Sequence, residues 1–177
     1  MEDYCHSFEH SIEFQVVFLQ HVLGPRVRIV PLLCGSFVNS IYRGGLPEAN
    51  PDVAQFLDVL GDIAARESDR LMFVLGIDMA HMGRRYGDRF SALAEKDEMA
   101  EVAVRDQRRI ERINAGDASG FWGEVQQNQD DLKWCGSSPL YTFLKTVPGV
   151  RGHLHKYQQW NIDEQSVVSF AGMSFHN

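Results

Sequence analysis

The residues best suited to chemistry lie in the stretch Leu71 to Gly83, LMFVLGIDMAHMG, where an acid and an imidazole, Asp78 and His81, follow one another between Gly76 and Gly83. A carboxylate beside a histidine can fix its tautomer and let the ring work as a general acid or base. The plainer use of the same residues is a turn cap and an ordinary loop histidine. Cys135 precedes Gly136 and a helical pattern through Leu140, Phe143 and Leu144, and backbone donors at a helix start stabilise a thiolate. His10 projects from the start of an N-terminal helical pattern. With His6 it would form a chelating pair on a continuous helix, whereas a cap at Ser7 leaves His6 outside. His153 and His155 alternate on one strand-like run, which fits either metal ligation or a solvent-facing sheet edge.

These side chains need a scaffold, and the apolar pattern outlines one. Leu71 to Leu75 is a continuous apolar run that predicts a buried parallel strand, with Asp78 and His81 in the crevice beyond its carboxyl end, where ligands of open α/β sheets sit. Val27 to Leu33 reads as a second strand, ending beside Cys34, a small core residue. Helices are predicted over residues 8 to 23, capped by Ser7, and 51 to 66, opened by Asn50-Pro51, with a loop from Asn39 to Asn50. Strand, helix and strand at this spacing make a right-handed parallel unit. Further helical patterns cover Ser91 to Ile113 and Ala118 to Gln126, and two strand-like runs close the chain, His153 to Gln158 and Val167 to Phe175. The resulting expectation is an α/β fold with a mainly parallel or mixed central sheet flanked by helices.

Composition narrows the function. A chain of 177 residues suits one domain, and a formal net charge of −7 argues against nucleic acid, which needs a basic surface. The cluster Arg105, Arg108, Arg109 and Arg112 reads as a solvated helix face. Three cysteines without CxxC spacing give no disulfide framework or zinc ribbon and fit a reduced, cytoplasmic setting. No apolar run approaches the ~20 residues of a membrane span, and no signal-peptide pattern opens the sequence.

Several blocks then fall into a familiar order: EHSIEFQVVFLQ at Glu9 to Gln20, VPLLCGS at Val30 to Ser36, GIDMAHMG at Gly76 to Gly83, WCGSSPLYTFL at Trp134 to Leu144 and SVVSFAGMSF at Ser166 to Phe175. Together they resemble the Memo family, also described as the B component of the AmmeMemoRadiSam system. The resemblance implies a fold like the catalytic subunit of class III extradiol dioxygenases, which are non-haem iron enzymes, with a cleft built from two histidines and a cysteine. It implies that His10 and Cys135 are metal ligands, that Asp78 and His81 form the polar pair beside the metal, and that His81 is the acid/base residue. Iron(II), copper or zinc would suit such ligands. An AMMECR-type protein and a radical SAM protein are the implied partners.

The departures shape the expectation too. The family's first ligand histidine lies in a PHAGY-like strand that has no counterpart here, so residues 1–177 are expected to form a single, N-terminally truncated Memo-like domain with an incomplete, weakly binding metal site and an unpaired sheet edge. Gly76 and Ile77 stand where the family usually has two serines, and Ala80 and Met82 replace a serine and an aromatic residue. The function read from this pattern is metal-dependent, redox or dioxygenase-like chemistry. Its alternatives are a non-catalytic module that grips a peptide or small molecule, and a hydrolase using Cys135 as nucleophile, His81 as base and Asp78 as orienter.

Overall fold

The computed structural model describes residues 3–176. Its helices are α1 (His10–Leu23), α2 (Val38–Arg43), α3 (Pro51–Arg66), α4 (Glu98–Asn114), α5 (Ala118–Gln126) and α6 (Ser137–Thr146). Its strands are β1 (His81–Gly83), β2 (Arg151–Asp163) and β3 (Ser166–His176). Among the described residues no helix is long and apolar enough to cross a membrane.

The ribbon of β2 and β3 forms where the sequence alternates, joined by the turn at Glu164 and Gln165. On its inner side α4 presents Met99, Val102, Ile110 and Ile113 at helical spacing, and α5 adds Phe121, Trp122 and Val125, all buried. Helix α6 is buried on nearly every side, with Tyr141 and Leu144 at the centre of the core. Asn50 caps α3 by accepting from the Asp52 amide at 2.9 Å, with Pro51 at the first helical position, as its sequence predicts.

The sheet differs from expectation. Among the described residues it has three strands in the order β1-β3-β2, and both pairings are antiparallel. Neither Val27 to Leu33 nor Leu71 to Leu75 is a strand, so the α/β class holds while the mainly parallel or mixed sheet built on them is corrected to an antiparallel one. Among the described residues, no backbone-to-backbone hydrogen bond engages residues 26–36 or 71–77. An apolar run signals a demand for burial, but a strand exists only where a neighbour pairs with it. Val27 to Leu33 leaves that demand largely unmet, with Val30 80% exposed, and Leu71 to Leu75 meets it on one side only: Phe73 and Leu75 pack against the core while Met72 is 62% exposed. Helix α1 likewise buries none of its residues.

Smaller corrections have local causes. Glu9, not Ser7, caps α1 by accepting from the Ser11 amide at 2.8 Å, while Ser7 closes a separate 3-10 turn, Asp3–Ser7. His6 and His10 therefore do not share a continuous helix. The segment read as a loop contains α2 and a 3-10 turn, Pro47–Ala49, because Ser40 is buried and accepts from Trp122 Nε1 at 2.7 Å. Helix α4 starts at Glu98 rather than near Ser91. Arg109 is not on a solvated face: it is buried and paired with Asp130 at 2.8 Å.

Candidate functional site

The GIDMAHMG loop is stitched to the fold from two sides. Toward β3, Met79 N–H donates to the Ser169 carbonyl at 3.0 Å, Ser169 N–H to the Ala80 carbonyl at 2.9 Å, and Ala80 N–H to Ser169 Oγ at 2.8 Å. Toward the segment before α6, His81 N–H donates to the Leu132 carbonyl at 2.9 Å and Gly136 N–H to the Asp78 carbonyl at 3.3 Å. Gly136 permits this approach, since a Cβ there would lie 3.0 Å from the Asp78 carbonyl oxygen and 2.8 Å from Ile77 Cδ1. Gly76 does the same for the first turn of α1, since a Cβ there would lie 2.9 Å from the Ser11 carbonyl oxygen.

This stitching brings together Asp78, His81 and Cys135, whose potential ligand atoms all lie within 4.8 Å of one another. His81 Nδ1 sits 2.9 Å from the Met79 carbonyl and 3.1 Å from that of Lys133. Carbonyls only accept, so Nδ1 carries a hydrogen, and Nε2, the lone-pair nitrogen of the neutral ring, lies 3.9 Å from Asp78 Oδ2. Metal-bound imidazoles are commonly held in this way by their second nitrogen. The Asp78 amide donates to Cys135 Sγ at 3.3 Å, and the thiol donates to the Asp78 carbonyl at 3.4 Å. Tyr86 packs its ring edge-on against His81, 4.9 Å between centroids, and its hydroxyl is pushed above the usual phenol range by burial and by the acidic groups nearby, Asp78 among them.

The Cys135 thiol is pushed up, first by burial and then by the Asp78 carboxylate, although backbone hydrogen bonds act the other way. Cys135 is open to solvent on one side, but protein crowds its sulfur enough for desolvation to outweigh those backbone hydrogen bonds. Nor do the three residues form a nucleophile, base and orienter relay. Asp78 approaches Nε2, the nitrogen a thiol would need, while Nδ1, which an orienting carboxylate would hold, is taken by carbonyls. Sulfur, imidazole nitrogen and carboxylate oxygen together fit a borderline divalent metal, with open coordination positions left over.

Behind the loop lies a buried polar network. Asp106 of α4, fully buried, accepts from Trp134 Nε1 at 2.8 Å, from the Tyr157 hydroxyl at 2.8 Å and from Ser169 Oγ at 2.6 Å. It thus ties the residue before Cys135 to the residue that holds Ala80. Burial raises the Asp106 carboxyl despite these three donors, and raises the Tyr157 hydroxyl as well. One turn on, Arg109 pairs with Asp130 and lies over the Trp134 ring at 5.0 Å. These contacts brace a stretch in which Asn128, Gln129, Asp130 and Lys133 all take left-handed backbone angles.

His10 lies outside the group of three; its side chain is 77% exposed and stands 3.7 Å from Glu9 Oε1. Cys34 is half-buried beside Thr142, its thiol raised by burial. His153 and His155 face solvent on the ribbon. Sequence reasoning missed Asp106, Ser169 and Tyr86. Asp106 was findable, because it falls on the same helical stripe as Met99, Val102, Ile110 and Ile113, where an acid is out of place unless partnered.

A profile of the Memo family, described as Memo-like protein, matches residues 1–174. The chain is 27% identical over 160 residues to a protein memo-1 homolog of Caenorhabditis elegans, covering 85% of this chain and 40% of that protein. It is 27% identical over 186 residues to a MEMO1 family protein of Thermococcus kodakarensis, covering 99% and 59%. A MEMO1 family protein of Aquifex aeolicus is 26% identical over 172 residues, covering 95% and 40%. The chain thus spans about half the length of the curated relatives it matches. With the profile running through residues 1–174, Asp78, His81 and Cys135 included, the chain belongs to the Memo-like protein family.

Proposed function

We propose that the cleft of Asp78, His81 and Cys135 binds a divalent metal and supports redox or dioxygenase-like chemistry on a small ligand, in a fold related to the class III extradiol dioxygenases. The observation that carries this reading is the convergence of three donors within 4.8 Å, one of them an imidazole whose second nitrogen is already anchored. Cys135 supplies the sulfur ligand. His81 and Asp78 complete the donor set or, where His10 rotates in from α1, serve as the proton-handling pair beside it. Iron(II), copper or zinc would supply Lewis acidity and an open position for substrate, and of these only iron or copper would also supply the electron transfer that redox chemistry needs. The chain's own part is to orient the His81 ring, through the carbonyls of Met79 and Lys133, and to hold the Cys135 sulfur on the Asp78 backbone, where it would be available to a metal. By family likeness, an AMMECR-type protein and a radical SAM protein are the partners, to be sought by co-purification.

Cobalt(II) loading tests the reading. A sulfur-to-cobalt charge-transfer band is expected in the unaltered chain, absent in Cys135→Ser and altered in His81→Ala; the response of His10→Ala decides whether that residue is a ligand. Failure to take up cobalt, or an undiminished band in Cys135→Ser, overturns the proposal. A second reading, a cleft that grips a peptide or small molecule without catalysis, draws on the 57% exposure of the Asp78 side chain at its mouth. Ligand binding that survives chelation of metal would favour it.

A further inference from the structure

The outer face of the β2–β3 ribbon carries imidazoles that the cleft does not use. His153 and His155 are both exposed, and their rings lie 4.8 Å apart between centroids at an interplanar angle of 75°. Two imidazoles on one tetrahedral ion, with nitrogens at about 2.0–2.1 Å, have ring centroids roughly 5 Å apart. In the free protein the two rings meet edge to face, at a centroid separation close to that of a chelating pair. A register shift between Leu154 and Lys156 accounts for the pose, since the bulge turns both His155 and Lys156 outward and lets His155 Nε2 reach Ser174 Oγ at 2.7 Å. Ser174 is also the cross-strand partner of His153.

A third imidazole shares the face. His176 pairs with Arg151, two residues along from the pairing of His153 with Ser174, and is exposed on the same side. In the free protein the ring nitrogens of these three histidines do not all lie within 4.8 Å of one another, so an ion would draw the exposed His176 ring over to the pair. Arg151 would oppose a cation, but its guanidinium is turned back onto the carbonyls of Ala115, at 2.9 Å, and of Gly149 and Val150. Lys156 remains on the exposed side and limits the affinity.

We propose that His153 and His155, with His176 as third ligand, form a surface site for a late first-row divalent cation of the zinc, nickel or copper class, separate from the Cys135 cleft. Imidazole donors without thiolate or carboxylate suit these ions and not calcium or magnesium.

The test uses the full chain carrying Cys135→Ser and His81→Ala, so that the cleft contributes no signal and its fate has no bearing on the result. Titrated with zinc or nickel chloride, this protein is expected to bind one equivalent. Adding His153→Gln and His155→Gln should weaken binding by more than the roughly 10-fold that loss of even an outer partner of a metal site costs, and His176→Gln by less. All three positions are exposed, and unchanged circular dichroism confirms the fold of each variant. Paramagnetic broadening by nickel locates the ion directly and should be confined to residues around His153, His155 and Ser174. No uptake by the cleft-disabled protein, unchanged affinity after both glutamine substitutions, or broadening elsewhere would each overturn the site.

Discussion

The Asp78 backbone and the Cys135 side chain, far apart in sequence, clasp each other: the amide donates to the sulfur at 3.3 Å and the thiol to the carbonyl at 3.4 Å. The contact fixes the sulfur beside the His81 imidazole without needing a thiolate. Burial raises this thiol, so less of it is ionised at neutral pH than in an ordinary cysteine. Cys135 is therefore expected to react with iodoacetamide more slowly than an unperturbed thiol at pH 7, catching up only as pH rises past the usual thiol range. Mass spectrometry of the alkylated peptide against a model thiol reads this. Zinc should release a proton on binding and protect the peptide, and alkylation indifferent to zinc would remove Cys135 from the ligand set.

Asp106 is where the cleft meets the core. Replacing it with alanine strands the donors of Trp134, Tyr157 and Ser169 in a buried setting, a loss on the order of 3 kcal/mol or more. Thermal unfolding should show a large drop for Asp106→Ala and a smaller one for Asp106→Asn, which keeps an acceptor. Because Ser169 Oγ also holds the Ala80 amide, the cobalt spectrum of Asp106→Asn should shift even where the protein remains folded. An unchanged spectrum would confine Asp106 to a structural role.

Legibility in the sequence followed the range of the interactions. Helices α3, α5 and α6 and the β2–β3 ribbon were readable because caps, local periodicity and a short turn define them. Asp78, His81 and Cys135 were readable as chemistry-bearing types, and their convergence is a fact of three dimensions. The segments around Val30 and Leu71 are not legible in this way, because apolar content signals burial and does not specify a pairing partner. Arg109 is not legible for the opposite reason: its charge suggests solvent, whereas Asp130, the Glu124 carbonyl and the Trp134 ring receive it inside.

Glu48 gives the fold a defined acid limb. Burial alone would raise its carboxyl, but hydrogen bonds from the Tyr141 hydroxyl and Lys145 outweigh it and hold the group below the ordinary 4.5. A carboxyl depressed in the folded state adds stability above its unfolded value and loses that stability as pH falls through the folded one. Between roughly pH 5 and pH 3 the unaltered chain should therefore lose more melting temperature than Glu48→Gln does. Parallel melting curves would contradict the assignment.

The uncovered apolar face has a solution consequence. Along α1, Phe14, Val17, Phe18 and Val22 are 57%, 55%, 65% and 76% exposed, and Val30, Met72 and Val74 add to the exposed apolar area from the two segments that lack strand partners. Monomeric proteins rarely leave contiguous apolar patches larger than a few hundred Å² open to water, and backbone without a ladder partner invites pairing with another chain. Sedimentation velocity is expected to show association that grows with protein concentration and strengthens in sulfate, as burial of apolar surface does. Phe18→Glu combined with Val22→Lys, at exposed positions of a helix that buries nothing, should move the population toward monomer without lowering the melting temperature. A chain that sediments as a monomer at every concentration, or association that dissolves in moderate sodium chloride, would mean that contacts other than these apolar side chains govern its behaviour.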